Sequence, residues 1–185
     1  MKATPLEATG LILLELAVYR DSRGFFVERF RRDRFLELGL PVDFVQDNHS
    51  RSAPGVLRGL HYQNAPTQGK LIGVVRGRIF DVAVDLRVGS PTFGRPITME
   101  LSDDNGRMLW VPPGFAHGFC VLGDEPADLV YKVDANYHAA GEGGIRWDDP
   151  DLAIGWPLAS PLVSERDGRL PSFAAYKAAP VVWSR

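Results

Sequence analysis

Residues 56–63 carry an arginine and a histidine three positions apart within an otherwise apolar run. Such a run favours a β-strand, where a buried guanidinium and a buried imidazole each need a polar partner. Side chains alternate along a regular strand, so Arg58 and His61 would face opposite sides. Gly59 lies between them, and a glycine inside a strand often marks a β-bulge. We therefore hypothesise a bulge at Gly59 that turns both side chains toward one polar cavity; the alternative is a salt-bridged arginine and a hydrogen-bonded structural histidine.

A second histidine with chemical potential is His117, which lies between Phe115 and Phe119 in a glycine-flanked aromatic segment. Glycine allows backbone or ligand to approach closely, which favours a site. The alternative is a core histidine packed between the two rings. Cys120 follows in an apolar run and is predicted to be a small buried hydrophobe rather than a reactive thiol. His138 is predicted to be a solvated loop residue.

The elements that must position these residues are short strands separated by turns. The predicted strands are 11–18, 25–30, 44–48, 56–63, 70–75, 79–86, 97–101, 108–111, 115–122 and 129–133. One short helix is predicted over 33–38, before Gly39 and Pro41. Many short strands at short intervals predict an all-β sandwich or barrel. The chain beyond Asn136 is less regular and is expected to pack on the barrel as loops and short helical turns.

The clearest alternation in the sequence falls on the strand predicted over 79–86. Its even-numbered residues are apolar and share one face, whereas Asp81 and Asp85 lie on the other. We expect a single domain over 1–185, with a β core of about 1–135 and a C-terminal cap of about 136–185.

Composition limits the classes of function. The chain has 185 residues, of which 45% are hydrophobic and 24% charged, and its net charge is -2. This balance is typical of a globular protein and argues against a nucleic-acid-binding domain. The single Cys120 allows no internal disulfide and fits a reducing compartment. Because residues 11–16 are too short to span a bilayer and residues 1–10 lack the layout of a secretory signal, we expect a cytoplasmic protein.

A metal site is disfavoured by the sequence around His61. Barrels that bind a metal through histidine usually carry two of them at i and i+2 on one strand, and position 63 is Gln. The sequence also lacks a phosphate-binding glycine loop, a nucleophile elbow and a dinucleotide fingerprint.

Several segments together resemble the dTDP-4-dehydrorhamnose 3,5-epimerase family. The resemblance runs in order from about residue 5 to residue 171. The segments that carry it are 21–26 with Glu28, 44–50, 56–63, 68–71, 90–94, 113–119, 131–132 with Tyr137, 144–147 and 162–167. The resemblance implies a cupin-like jelly roll that acts as a homodimer without metal or redox cofactor. It also implies inversion of C3 and C5 of dTDP-4-dehydro-6-deoxy-D-glucose, which gives dTDP-4-dehydro-L-rhamnose.

The resemblance implies four catalytic roles, and each suits the chemistry. His61 matches the base that removes a proton beside the C4 ketone, and Asp167 matches the carboxylate that orients it. Lys70 matches the cation that stabilises the enolate. Tyr131 matches the acid that reprotonates from the opposite face, a role for which we expect a nearby lysine to lower its pKa.

The resemblance also implies a set of substrate contacts, with Tyr137 stacking on thymine and residues near Glu28 contributed by the partner chain. The implied substrate-binding residues are Arg23, Phe26, Glu28, Gln46, Asp47, Asn48, Arg58, Lys70, His117, Tyr137, Glu142 and Arg166.

The chain departs from the family pattern at a few positions. The loop between His61 and Lys70 is one residue shorter and the loop before Tyr131 about one longer, where length variation is tolerated. Arg166 stands where many relatives have Lys, and Asn136 replaces a common aromatic, a change expected to relax the nucleoside pocket.

Three other functions stay open from sequence. One is a single C3 or C5 epimerase of another nucleotide-deoxysugar pathway, which would keep the same histidine and aspartate. Another is a catalytically silent sugar-binding cupin, whose expected mark is loss of His61, Asp167 or Tyr131. The third is a metal-binding cupin, which the Gln at position 63 disfavours.

Overall fold

The structure, a computed structural model, describes residues 1–7 and 9–184. Strands dominate it. The first seven are β1 (Lys2–Leu6), β2 (Leu11–Glu15), β3 (Val18–Asp21), β4 (Gly24–Val27), β5 (Gln46–Ser52), β6 (Val56–Gln63) and β7 (Lys70–Arg76). The next seven are β8 (Arg78–Asp85), β9 (Pro96–Ser102), β10 (Arg107–Val111), β11 (Phe115–Leu122), β12 (Ala127–Val133), β13 (Glu142–Gly144) and β14 (Leu162–Val163). The helices are α1 (Arg32–Glu37), α2 (Phe173–Ala178) and two 3-10 turns, Ala139–Gly141 and Asp167–Arg169.

The strands form two large sheets and a hairpin. The first sheet has the order β1-β2-β10-β7-β12-β5, and the second has the order β13-β6-β11-β8-β9, with β14 added to β6. From β5 to β8 each strand lies in the other sheet from the strand before it, so the connections cross between sheets as in a jelly roll. The hairpin β3-β4 stands apart from both sheets. The predicted all-β jelly roll with short helical segments is confirmed.

The predicted strands agree best where apolar runs end at clear turn residues. The predictions for β6 and β11 match the observed bounds, and the predicted helix matches α1 within one residue. The single strand predicted over 11–18 is wrong, because the chain ends β2 at Glu15 and begins β3 at Val18. The first strand, Lys2–Leu6, was not predicted. Its own sequence pattern is not regular enough to predict a strand, and the strand is held in extended form by its pairing with β2.

Three clusters of buried apolar side chains hold the layers together. Adjacent residues of one strand belong to different clusters, because their side chains point to opposite faces of the sheet. On β7, Ile72 enters the core between the sheets, whereas Leu71 packs outward beneath Phe35 of α1. The outer face of the second sheet is covered by residues that follow position 144. Ile145, Leu152, Phe173 and Tyr176 are buried there. The C-terminal segments therefore cover the face of the sheet that carries β6 and β11.

The alternation along β8 has a direction that the sequence did not reveal. Val82 and Val84 pack outward beneath the C-terminal segments, whereas Ile79 and Ala83 lie in the core between the sheets. Asp81 shares their parity and is fully buried. The polar face of this strand therefore points into the barrel.

Cys120 lies on β11, where it pairs with β6 on one side and β8 on the other. It is fully buried, and burial raises the pKa of its thiol to about 11. The prediction of an inert buried cysteine is confirmed. Among residues 1–7 and 9–184, no helix is long and apolar enough to cross a membrane.

Candidate active site

A cavity of about 550 Å³ opens between the two sheets. Its apolar lining includes Ile72 and Leu129 of the first sheet and Leu57 and Phe119 of the second. Its ionisable lining comes from both sheets and the C-terminal segment: Arg58, His61, Lys70, His117, Tyr131, Arg166 and Asp167. An apolar pocket with a few converging polar groups has the character of a small-molecule site.

The strand β6 contains the hypothesised bulge. Its pairing with β11 shifts so that two residues, Gly59 and Leu60, face the single residue Gly118. Gly59 has φ +125°, and a Cβ there would lie 2.5 Å from the Cα of Gly118. Glycine is therefore required at position 59 by both backbone angle and space.

The bulge changes which side chains of β6 face the cavity. Arg58 and His61 would face opposite sides of a regular strand, yet both line the cavity. The Arg58 guanidinium is held by the hydroxyl of Ser52, to which Nε donates at 2.9 Å, and by the carbonyl of Arg51, 3.3 Å from Nη2. The hypothesis that one bulge turns both side chains to one cavity is confirmed.

His61 is paired with the carboxylate of Asp167. Nε2 lies 2.7 Å from Oδ1, while the other carboxylate oxygen accepts the amide of Gly59 at 3.2 Å. The amide of Asp167 in turn donates to the hydroxyl of Ser164 at 3.0 Å. Burial lowers the pKa of His61, and the hydrogen bond and charge of Asp167 oppose that change. His61 is thus neutral at pH 7, with Nε2 engaged and Nδ1 left to accept a proton.

Lys70, at the start of β7, brings a positive charge to the cavity from the first sheet. Burial lowers the pKa of its ammonium to about 8, although the charges of Glu142 and Asp81 act in the other direction. A cation in such a low-dielectric place is well suited to stabilise a negative oxygen.

Tyr131 lies on β12 of the first sheet, whereas His61 lies on the second sheet. The two side chains therefore reach the cavity from different walls. Burial raises the pKa of Tyr131, against the opposing charge of Arg58. The expectation that a nearby lysine lowers this pKa is wrong, because the charge that opposes burial is that of Arg58 and burial outweighs it. The phenol consequently carries its proton at neutral pH.

A second histidine–carboxylate pair was missed in the sequence. His117 Nε2 lies 2.8 Å from Asp81 Oδ2, and the carboxylate is fully buried. The other oxygen, Oδ1, has no hydrogen-bond partner within the described part of the chain. The available signal was the parity of β8, which places Asp81 on the same face as Ile79.

A chain of hydrogen bonds continues from the cavity to its rim. Glu142 Oε2 lies 2.7 Å from Arg166 Nη2 and accepts the Tyr137 hydroxyl at 2.8 Å. The amide of Tyr137 donates to Gln46 Oε1 at 3.0 Å, and Gln46 Nε2 donates to Asn48 Oδ1 at 2.8 Å. Five residues from distant parts of the sequence are thereby joined in one surface.

Asp47 does not share that surface. Its carboxylate pairs with Lys132 Nζ at 2.6 Å, and alternation along β5 directs it away from Gln46 and Asn48. A contact of this side chain with substrate stays a prediction.

Three candidate residues near the hairpin are not brought to the cavity of their own chain. Arg23 pairs with Asp21 at the hairpin turn, Phe26 is 68% exposed, and Glu28 lies 3.5 Å from Arg31. The hairpin instead lines a separate surface groove.

Among residues 1–7 and 9–184, no group of three or more His, Cys, Asp and Glu side chains is placed to hold a metal ion. The two histidines of the cavity are each engaged by a carboxylate instead.

Comparison with known proteins gives consistent matches. The family model for dTDP-4-dehydrorhamnose 3,5-epimerase matches residues 5–175. A dTDP-4-dehydrorhamnose 3,5-epimerase of Pseudomonas aeruginosa is 53% identical over 94% of this chain and 97% of its own. A dTDP-4-dehydrorhamnose 3-epimerase of Streptomyces niveus is 40% identical over 98% of this chain and 94% of its own.

A solved structure agrees in fold as well as sequence. The 3,5-epimerase of Legionella pneumophila, crystallised with dTDP-4-keto-L-rhamnose, has a TM-score of 0.92 and 45% identity, with coverage of 100% of this chain and 98% of that one. Since the family model spans nearly the whole sequence and the relatives exceed 30% identity, this chain belongs to the dTDP-4-dehydrorhamnose 3,5-epimerase family.

Proposed function

We propose that this protein inverts C3 and C5 of dTDP-4-dehydro-6-deoxy-D-glucose to give dTDP-4-dehydro-L-rhamnose. The observation that carries the proposal is the placement of a neutral base, His61, and a protonated acid, Tyr131, on different walls of one cavity. Inversion at a carbon needs a proton removed from one face and returned to the other. A base and an acid on opposing sheets meet that need.

The first step is removal of a proton beside the ketone. Nδ1 of His61 takes the proton from C3 or C5, and the electron pair of the broken C–H bond moves to the C4 oxygen as an enolate. Asp167, fixed at 2.7 Å from Nε2, stabilises the imidazolium that forms. Lys70 supplies the positive charge that the enolate oxygen requires.

The second step is reprotonation. Tyr131 gives its phenolic proton to the opposite face of the same carbon, which completes the inversion and leaves a phenolate. The charge of Arg58, which lowers the pKa of this phenol in opposition to burial, stabilises that phenolate. Proton return through solvent then resets both groups for the second carbon.

The nucleotide is held along the rim. Arg58 and Arg166 suit the diphosphate, because guanidinium groups bind phosphate oxygens in a bidentate manner. The Tyr137 ring is 57% exposed and offers a flat surface for thymine. Gln46, Asn48 and Glu142 supply the neighbouring polar contacts, and His117 lies beside His61 on the adjacent strand to contact the sugar or phosphate.

A homodimer would complete the site. The hairpin exposes three aromatic side chains, Tyr19, Phe25 and Phe26, at 56% or more. Apolar surface of this kind, next to Arg23 and Glu28, suits a second copy of the chain. We propose that the partner receives these residues at its own cavity rim.

Three further proposals concern the domain organisation, the cellular location and the need for a metal. We propose one domain over 1–185, with a β core of about 1–135 beneath a C-terminal cap of about 136–185. The lone, buried Cys120 is compatible with a reducing cytoplasm, where we place the protein. No metal is required by the proposed steps, and a stoichiometric transition metal in the purified protein would contradict them.

The test is incubation of the protein with dTDP-4-dehydro-6-deoxyglucose in deuterated water. Deuterium at both C3 and C5, counted by mass and located by NMR, with a trapped L-rhamno product, is the expected result. His61→Ala is the negative control and should lose exchange at both carbons, because no base remains. Substantial exchange by that variant would remove His61 from its role.

A single epimerase is the second candidate, favoured by the 40% identity to the Streptomyces niveus 3-epimerase. Deuterium at one carbon only would establish it. Absence of deuterium would indicate another nucleotide sugar or a silent binding protein, although His61, Asp167 and Tyr131 are all present at the cavity.

A further inference from the structure

Residues 181–184 lie beyond the part of the chain that the family model matches, yet they are joined to the loop between two catalytic strands. The loop, residues 64–69, connects β6, which carries His61, to β7, which carries Lys70. We propose that residues 181–184, which we term the C-terminal strap, act as a positioning element for the nucleotide-binding rim, with Trp183 as the residue that matters most. This inference rests on the proposed function, in which Tyr137 and Glu142 contact the nucleotide.

The backbone of the strap is hydrogen-bonded to the loop in both directions. The amide of Thr67 donates to the carbonyl of Ser184 at 2.7 Å, and the amide of Ser184 donates to the carbonyl of Asn64 at 3.0 Å. The side chain of Asn64 adds a bond to the carbonyl of Val182 at 3.0 Å. Three bonds from two strap residues, Val182 and Ser184, hold the loop in one conformation.

The loop in turn holds the segment that carries the rim. The amide of Asn64 donates to the carbonyl of Gly141 at 2.9 Å, and the carbonyl of Ala65 lies 2.8 Å from Nδ1 of His138. A Cβ on Gly141 would lie 2.2 Å from that same carbonyl, so loop and segment are in close contact. Tyr137 and Glu142 lie on either side of this contact.

A second connection runs through aromatic packing. The Trp183 ring meets the Tyr62 ring edge-on, with centroids 5.4 Å apart. Tyr62 is buried and covers Gly143, whose absent Cβ would lie 2.5 Å from the tyrosine ring. Gly143 lies on β13, the short strand that begins at Glu142, and pairs there with Tyr62 of β6. Trp183 therefore supports β13 through the Tyr62 ring, and β13 carries the Glu142 that binds Arg166 and Tyr137.

The chemical groups are anchored independently of the strap. His61 is fixed by Asp167, and Tyr131 is held within the first sheet. Loss of the strap should therefore loosen nucleotide binding more than it slows proton transfer. A purely structural strap would lower the melting temperature and leave the binding of the folded protein unchanged.

The experiment compares Trp183→Ala, Trp183→Phe and Val182→Ala in the full chain, below the melting temperature of each. Val182 is the matched control, because its side chain is 79% exposed while its backbone is in the same strap. We measure the Kd for dTDP by calorimetry, the KM and kcat for the nucleotide sugar, and hydrogen exchange at the amide of Thr67.

For Trp183→Ala we expect Kd and KM to rise about fivefold or more while kcat changes less than about twofold, with faster exchange at Thr67. Trp183→Phe should recover most of the affinity, and Val182→Ala should match the unmodified protein. An unchanged Kd and KM in Trp183→Ala would overturn the inference while leaving the proposed function intact. Failure of the unmodified protein to bind dTDP would overturn both, whereas dTDP binding without turnover would remove the proposed reaction and still test the strap.

Discussion

The proposed acid and the proposed base of this site are placed on different sheets by the fold. His61 and Tyr131 lie in different sheets and reach one cavity from different walls. Burial acts on the two pKa values in useful directions: it lowers that of His61 and raises that of Tyr131. At neutral pH the same desolvation thus yields a free base and a protonated acid.

Replacement of the proposed acid, Tyr131, should separate proton exchange from inversion of stereochemistry. In Tyr131→Phe, His61 still removes the proton at C3, so deuterium exchange there should persist. Product with inverted stereochemistry should fall about 100-fold, because no acid remains on the opposite wall. Both quantities come from the same NMR samples in deuterated water. Product of unmodified stereochemistry at the normal rate would exclude Tyr131 as the acid.

The pH dependence follows from His61 and Lys70. Because burial lowers the pKa of His61 from its ordinary 6.5, kcat/KM should fall only below about pH 6.5 on the acid side. Lys70, with its pKa at about 8, should lose its charge above that pH and give the alkaline limb. Lys70→Met should lower the rate about 100-fold and remove the alkaline limb, whereas the exposed Lys177→Met should retain both rate and profile. An unaltered alkaline limb in Lys70→Met would assign it to another group.

The buried charge of Lys70 should also lower the free energy of unfolding. Its pKa is about 8 when folded and 10.5 ordinarily, so between these values the unfolded chain binds more protons and the free energy of unfolding rises with pH. Below pH 8 the buried charge opposes folding in full. Lys70→Met should accordingly raise the free energy of unfolding at pH 7 by about 1–3 kcal/mol, with the gain shrinking toward pH 10.5. Urea unfolding at pH 7 and pH 10 measures it, and destabilisation at pH 7 would contradict the sign.

At the scale of elements, one irregularity in β6 decides what the cavity contains. The bulge at Gly59 gives Arg58 and His61 a common direction, and it needs close approach to Gly118 on β11. Gly59→Ala should lower the free energy of unfolding by about 2–4 kcal/mol and abolish activity, because the added methyl meets backbone and φ is positive.

The matched control for that variant is Gly155→Ala. A Cβ at Gly155 would have nothing within 4 Å, so stability should change by less than about 1 kcal/mol and activity should remain. Thermal unfolding and the deuterium assay compare the two. A fully stable, active Gly59→Ala would show that the bulge does not set the site.

The sequence predicted elements where local signals sufficed. The apolar run of 56–63, with its internal glycine, predicted both the strand and its bulge, and α1 was predicted from its glycine and proline stop. Lys2–Leu6 was not predicted because its regularity comes from pairing with β2. Asp81 was missed because alternation divides a strand into two faces but does not say which faces inward when both are covered. The pKa of Tyr131 was predicted with the wrong sign because burial cannot be read from neighbours in sequence.

At the scale of the whole molecule, the question is whether the hairpin of one chain completes the cavity of a second copy. A mixing experiment with two variants answers it. Mixing His61→Ala chains with Phe26→Ala chains creates heterodimers in which one cavity has an intact histidine and receives an intact hairpin. With random pairing, about a quarter of wild-type activity should return, since half of the dimers are mixed and each has one complete site. Each variant alone supplies the baseline. Absence of recovery, with mixed dimers present, would mean that each hairpin serves its own chain.

The position of Cys120 has a practical consequence for measuring this molecule. The thiol is the single one in the sequence, lies on a strand paired on both sides, and has a pKa raised to about 11. Alkylating and disulfide-exchange reagents react with thiolate, so they can modify the protein only after the fully buried side chain of Cys120 has become exposed. The rate of labelling by such a reagent therefore reports the opening of the barrel itself. With no engineered probe, every variant above can be ranked by the frequency with which its barrel opens under native conditions.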